Sequence, residues 1–94
     1  MIGILMIHLN LPGCKSLKEK RSLIKPLVSR LHREFNLSAA EMDLQDSWQQ
    51  SVIECGMVGN DKAHLERSLQ TVCRWVEGNW PDGEVIEQKI EILK

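Results

Sequence analysis

The chain has no tyrosine and one phenylalanine among its 94 residues. A sheet that binds RNA by stacking bases on strand aromatics, as RNA-recognition motifs do, therefore has almost nothing to stack with. Cysteine is sparse and unpatterned. Cys14, Cys55 and Cys73 are odd in number and form no C-x-x-C pair, which speaks against a disulfide framework or a zinc site and for reduced thiols in a cytoplasmic protein. No apolar run approaches the ~18 residues a bilayer crossing takes, and no signal-peptide core is present, so a membrane is not expected as a partner. The net charge of −1 does not call for DNA or an anionic surface. His8, His32 and His64 lack metal-ligand spacing, and no cofactor is expected. There is no glycine-rich phosphate loop beside a catalytic arginine, as an acylphosphatase-type enzyme would carry. Repeats, linkers and low-complexity segments are also missing.

What remains is the composition of one ordinary globular domain spanning 1–94, with 43% apolar and 27% charged residues. A chain of this size buries roughly two thirds of its unfolded surface, enough for a single core. The neutral total hides an uneven distribution. Residues 15–33 hold seven of the twelve Lys and Arg and one acid, Glu19; the remainder holds twelve acids and five basic residues.

Periodicity orders the elements. Residues 3–11 alternate, with Leu5, Ile7, Leu9 and Leu11 on one face and Ile4, Met6, His8 and Asn10 on the other, which is strand period. After the turn at Pro12-Gly13, Ser16 with Glu19 forms a capping-box pattern, so a helix starts near Leu17. Its apolar stripe is Leu17, Leu23, Ile24, Leu27, Val28, Leu31 and Phe35, and it runs through Pro26, which predicts one kinked helix ending near Asn36. Residues 37–42 read as a short strand and 49–58 as a longer one, with Ser51, Ile53, Cys55 and Met57 on one face. Asn60-Asp61 cap a second helix with the stripe Leu65, Leu69, Val72, Cys73 and Val76. The turn sequence at 78–83 leads to a last strand, in which Ile86, Ile90 and Ile92 share a face.

The order strand, helix, strand, strand, helix, strand predicts an α+β, ferredoxin-like βαββαβ sandwich: a four-stranded antiparallel sheet with both helices on one face. Alternating directions gather three loops at one edge. "LPGCKSLKEKR" (11–21), "DLQDSWQQ" (43–50) and "GNWPDG" (78–83) meet there.

Those segments also carry a resemblance. "LPGCKSLKEKRSLIKPL", "NLSAAEMDLQDSWQQ" and "GNDKAHLE" resemble the signature blocks of the YlxP-like family of small uncharacterised bacterial proteins. The resemblance covers nearly the whole chain; Pro26 departs from the commoner pattern of the first helix. It implies the ferredoxin-like fold. Through the frequent placement of the family's genes beside those for translation initiation and small-subunit maturation, it implies a ribosome-related role by association.

Candidate binding residues are Lys15, Lys18, Lys20, Arg21 and Lys25 at the basic N-terminus of the first helix and Gln45, Asp46 and Trp48 in the 43–50 loop. Free N–H groups at a helix start together with Lys and Arg suit phosphate, hence an RNA backbone or ribosomal particle. The competing reading pairs these cations locally with Glu19, Asp43 or Asp46. Lys20 falls within the apolar stripe, yet in the first turn it can reach past the sheet's end. Trp48 can stack on a base or lid the open end of the core; the resemblance moves its loop toward function. Ile4, Met6, His8, Val52 and Val58 lie on the sheet face without helices, which offers a second function class, a protein-interaction or homo-oligomeric module. "GMVG" (56–59) formally matches the KH-domain loop but ends a strand. His64 reads as a cap residue. A binding module ranks ahead of an enzyme on a small anionic substrate.

Overall fold

The computed structural model describes residues 1–94. The elements are β1 (Ile2–Asn10), α1 (Leu17–Glu34), β2 (Ser38–Asp43), β3 (Gln50–Val58), α2 (Lys62–Asn79) and β4 (Glu84–Leu93). The four strands form one antiparallel sheet in the order β2-β3-β1-β4, so the expected α+β architecture is present. α1 lies against β2, and α2 against β1 and β4.

The alternation of β1 and β3 translates directly into packing. Leu5, Ile7, Leu9, Ile53 and Cys55 are buried with Ile24, Leu27 and Leu31 of α1 and Leu69, Val72, Cys73 and Val76 of α2. Trp75 bridges the two helices. Its ring meets Phe35 edge-on at 5.7 Å and lies beneath the Arg30 guanidinium at 4.8 Å.

The helix boundaries follow their caps. Ser16 Oγ accepts the Glu19 N–H at 3.0 Å, and the Glu19 carboxylate accepts the N–H of Lys15 at 3.2 Å. The box thus closes one residue further out than the usual pattern. α1 continues through Pro26 as one helix and is capped by Phe35, just ahead of the expected stop at Asn36. Asp61 caps α2 by accepting the His64 N–H at 3.1 Å, which gives the His64 position the cap-region role expected of it.

The last strand departs from its expected phase. β1 and β4 pair as His8↔Glu87 and then Leu9↔Val85, so Ile86 is an extra residue in a β-bulge. Val85, Ile90 and Ile92 pack on the core, whereas Ile86 is 52% exposed. One inserted residue reverses the inside–outside alternation, so Ile86 leaves the face it shares with Ile90 and Ile92 in a regular strand.

Trp80 closes the end of the core. It is 6% exposed and packs against Gly83, where an added Cβ would collide with the Asn10 carbonyl oxygen and the Trp80 ring. Gly83→Ala is expected to destabilise the domain by about 1–3 kcal/mol, because backbone cannot yield as a flexible side chain does. Urea denaturation checks this; an unchanged midpoint would show that the 78–83 turn shifts freely.

The three thiols are buried and unpaired. Burial pushes Cys55 up to about 12, with Cys73 adding to the effect, and pushes Cys73 up to about 11, helped by its hydrogen bond to Glu77. Cys14 is raised as well, first by burial. An unfolded thiol ionises near its ordinary value, so above that pH the unfolded chain holds fewer protons than the native one and stability falls as pH rises. Denaturation midpoints should therefore decline between about pH 9 and 12. Replacing Cys55 and Cys73 by Ala should flatten that part of the profile.

Candidate functional site

Lys20 organises the loop edge. It lies on the core side of α1 and is 1% exposed. Its ammonium donates to Leu44 O at 2.6 Å and Ser47 O at 2.8 Å, lies 3.4 Å from Gln45 O, and meets Glu41 Oε2 at 2.9 Å. The same carboxylate oxygen accepts from Ser51 Oγ at 2.6 Å. Three ammonium protons thus find a carboxylate and two carbonyls, which is the satisfaction a buried cation requires.

Two sequence expectations change here. Lys20 does not face an outside anion, so it leaves the set of ligand-binding candidates. Its partner is Glu41 on β2; Asp43, Asp46 and Glu19 form no ion pair with the helix cations. The physical reason is depth. A lysine within the apolar stripe reaches inward along the helix–sheet seam, and the only carboxylate on the inner face of that seam is Glu41.

The ammonium also shapes the β2–β3 loop. Leu44 adopts φ 60°, a left-handed conformation uncommon for a branched apolar residue. Its N–H donates to Asp43 Oδ1 at 2.8 Å, and its carbonyl accepts from both Lys20 and the Ser47 N–H at 3.0 Å. These bonds hold a turn over Leu44–Ser47 that the side chain of Leu44 would not choose. Gln49 ties the loop to the β1–α1 connection, its side chain donating to Cys14 O at 3.3 Å and its carbonyl accepting from the Leu11 N–H at 2.8 Å.

Trp48 emerges one residue beyond this locked turn and is 54% exposed. It is not the lid of the core; Trp80, from the third loop of the same edge, fills that position. Gln45 and Asp46 are exposed in the same turn. Lys15, Lys18, Arg21 and Lys25 have no carboxylate within salt-bridge distance. Arg21 and Lys25 line a groove of about 620 Å³ between α1 and β2, with Ile24, Val28, Ser29 and Glu41. Further along that flank His32 reaches over β2, its two ring nitrogens each 3.2 Å from a carbonyl, Leu37 O and Ala39 O.

On the sheet face away from the helices, Ile4, Met6 and Val52 are half-buried and Val58 is exposed. His8 contacts Gln50 there at 3.2 Å. A shallow hollow of about 300 Å³ borders this face between Ile4, Ala40, Met42 and Gly56. No three His, Cys, Asp or Glu side chains gather in a metal-binding arrangement, and no helix is long and apolar enough to cross a membrane.

An α+β sandwich with one edge built from a pinned loop and unpaired cations thus describes the class of protein. Comparison with known sequences agrees in extent. A family model described as "Protein of unknown function (DUF503)" matches residues 2–90. The chain is also 31% identical over 77 residues to the "Uncharacterized protein YlxP" of Bacillus subtilis (strain 168), covering 82% of this chain and 84% of that protein. The chain belongs to the DUF503 family.

Lys20→Met should cost about 3 kcal/mol, because it leaves Glu41, 20% exposed, and the loop carbonyls without their donor. Adding Glu41→Gln to that variant should restore part of the loss, since an amide is cheaper to leave there than a carboxylate. Equal midpoints for the single and double variants would show that the carboxylate is not constrained by Lys20.

Proposed function

We propose that this protein is a non-catalytic binding module that takes single-stranded RNA, free or displayed on a ribosomal particle, at the loop edge. The observation that carries this reading is the position of Trp48, held outward by the Lys20-pinned turn at an edge where Lys15, Lys18, Arg21 and Lys25 form no salt bridge. Lys15, Lys18, Arg21 and Lys25 supply phosphate contacts, and Trp48 supplies a stacking face for one base. Gln45 and Asp46, exposed beside it, offer an amide and a carboxylate to base edges, which are accessible only where RNA is unpaired.

The chemistry fits the charge distribution. A net charge of −1 gives no general attraction for polyanions, so contact must be local to the basic flank of α1. Binding then rests on a few phosphate contacts and one stacked base.

A fluorescently labelled single-stranded RNA of about ten nucleotides, near the footprint of a small single-strand-binding domain, is the probe. Lys18→Glu combined with Arg21→Glu should weaken binding at least about tenfold, and affinity should fall with rising salt. Trp48→Ala should weaken it by about five- to a hundredfold, the range for one stacked base, without altering the salt slope. Unchanged affinity in the double variant, or binding indifferent to salt, would overturn the proposal.

A further inference from the structure

The sheet has two edges, and they are finished differently. The bonds Leu11 N–H to Gln49 O and Gly59 N–H to Met1 O continue the β1–β3 ladder, so odd-numbered residues exchange the hydrogen bonds of that pair. Even-numbered residues of β3 therefore turn to β2, and those of β1 turn to β4. Through the registers, Ala39 and Glu41 of β2, and Gln88, Ile90 and Ile92 of β4, direct their backbone groups to the free edges.

On the β2 edge His32 covers the carbonyls of Leu37 and Ala39, and the Met42 bulge interrupts the register. These are devices that blunt an edge. On the β4 edge no side chain bonds to Gln88, Ile90 or Ile92, and the strand is regular from Glu87 to Leu93. Ile90 and Ile92 are only half-buried. Beside them is a hollow of about 300 Å³ between α2 and β4, lined by Gln70, Cys73, Arg74, Glu77, Gln88 and Ile90, with Lys89 at its border.

We propose that β4 pairs antiparallel with β4 of a second copy, with Ile90 on the two-fold axis, joining two sheets into one of eight strands. The charge pattern selects this register. With Ile90 opposite the partner's Ile90, Lys89 faces the partner's Glu91 and Glu91 faces the partner's Lys89. Both are non-hydrogen-bonded pairs, in which side chains lie closest. On the helix side, Gln88 faces the partner's Ile92, which enters the hollow beside α2. Centring the axis on Lys89 instead opposes two lysines and sets Glu87 against the partner's Glu91. Centring it on Glu91 opposes two glutamates.

The same charges argue against the alternative of stacking two open sheet faces. That face carries Glu54, Glu87 and Glu91 around Ile4 and Met6, with Lys89 as its only lysine. A two-fold stack would bring predominantly acidic surfaces together.

Sedimentation equilibrium over a concentration series tests the pairing. The protein should show a monomer–dimer equilibrium. Lys89→Glu and Glu91→Lys should each raise the dissociation constant about tenfold or more, because each turns two attractive cross-strand pairs into repulsive ones. An equimolar mixture of the Lys89→Glu and Glu91→Lys proteins should recover dimer, since unlike charges then face each other at all four positions. Amide exchange at Gln88, Ile90 and Ile92 should slow with increasing concentration. A protein that stays monomeric at about 1 mM, or a dimer that neither variant weakens, would overturn the proposal. So would a mixture that fails to dimerise although both variants retain the native circular-dichroism spectrum.

Discussion

The Lys20 ammonium is the interaction on which the loop edge depends. Buried at the seam between α1 and the sheet, it must be surrounded by acceptors, because a buried polar group without partners is costly. The chain meets that demand with one carboxylate from β2 and the carbonyls of the β2–β3 loop. The consequence runs outward. The loop closes on the cation, Leu44 takes a left-handed backbone, the Leu44–Ser47 turn is held, and Trp48 is carried past the core into solvent. Apolar residues in place of both Lys20 and Glu41 could fill the seam, but they would leave the loop with nothing to close around. The buried pair is therefore better understood as specifying the loop than as a source of net stability, since ion pairs of this kind often gain little over an apolar replacement.

Much of the fold is legible in the sequence because it rests on local, repeating signals. The alternation of Leu5, Ile7, Leu9 and Leu11 survives into the buried face of β1. Ser16–Glu19 and Asp61 mark both helix starts within a residue. The departures share one cause: they depend on contacts between segments distant in the chain. Ile86 is displaced by a bulge that exists only against His8 and Leu9, and nothing in "EVIEQKIEIL" announces it. Trp48 and Trp80 come from two loops of the same edge, and which one plugs the core depends on the turn that Lys20 pins.

The candidate site is legible to a different degree. Lys20 stands at the angular position of the apolar stripe, and that was the available signal for its burial. A lysine in such a place next to a β-strand glutamate on an inward-facing position, Glu41, forms a pattern that periodicity alone can find once the register of β2 is known. Removing Lys20 from the cation group leaves a simpler set. Lys15, Lys18, Arg21 and Lys25 are solvent-facing with no carboxylate within salt-bridge distance, and so their charge is available to a partner. The basic helix start thus divides into one residue that builds the edge and four that face outward from it.

The two surfaces are placed so that each can reinforce the other. The basic flank of α1 lies on the β2 side of the sheet, while the proposed self-pairing would use β4 on the far side. Pairing through β4 leaves both flanks uncovered and sets the two β2 strands at the outer ends of eight, about 34 Å apart at ~4.8 Å per strand. Single-stranded RNA long enough to reach both edges would then bind the second one at the effective concentration imposed by the first, so that a weak contact of a few phosphates and one base becomes a strong one. RNA too short to span them would gain nothing from dimerisation. The length dependence of binding therefore separates affinity built into one edge from affinity that arises only when two copies share a sheet.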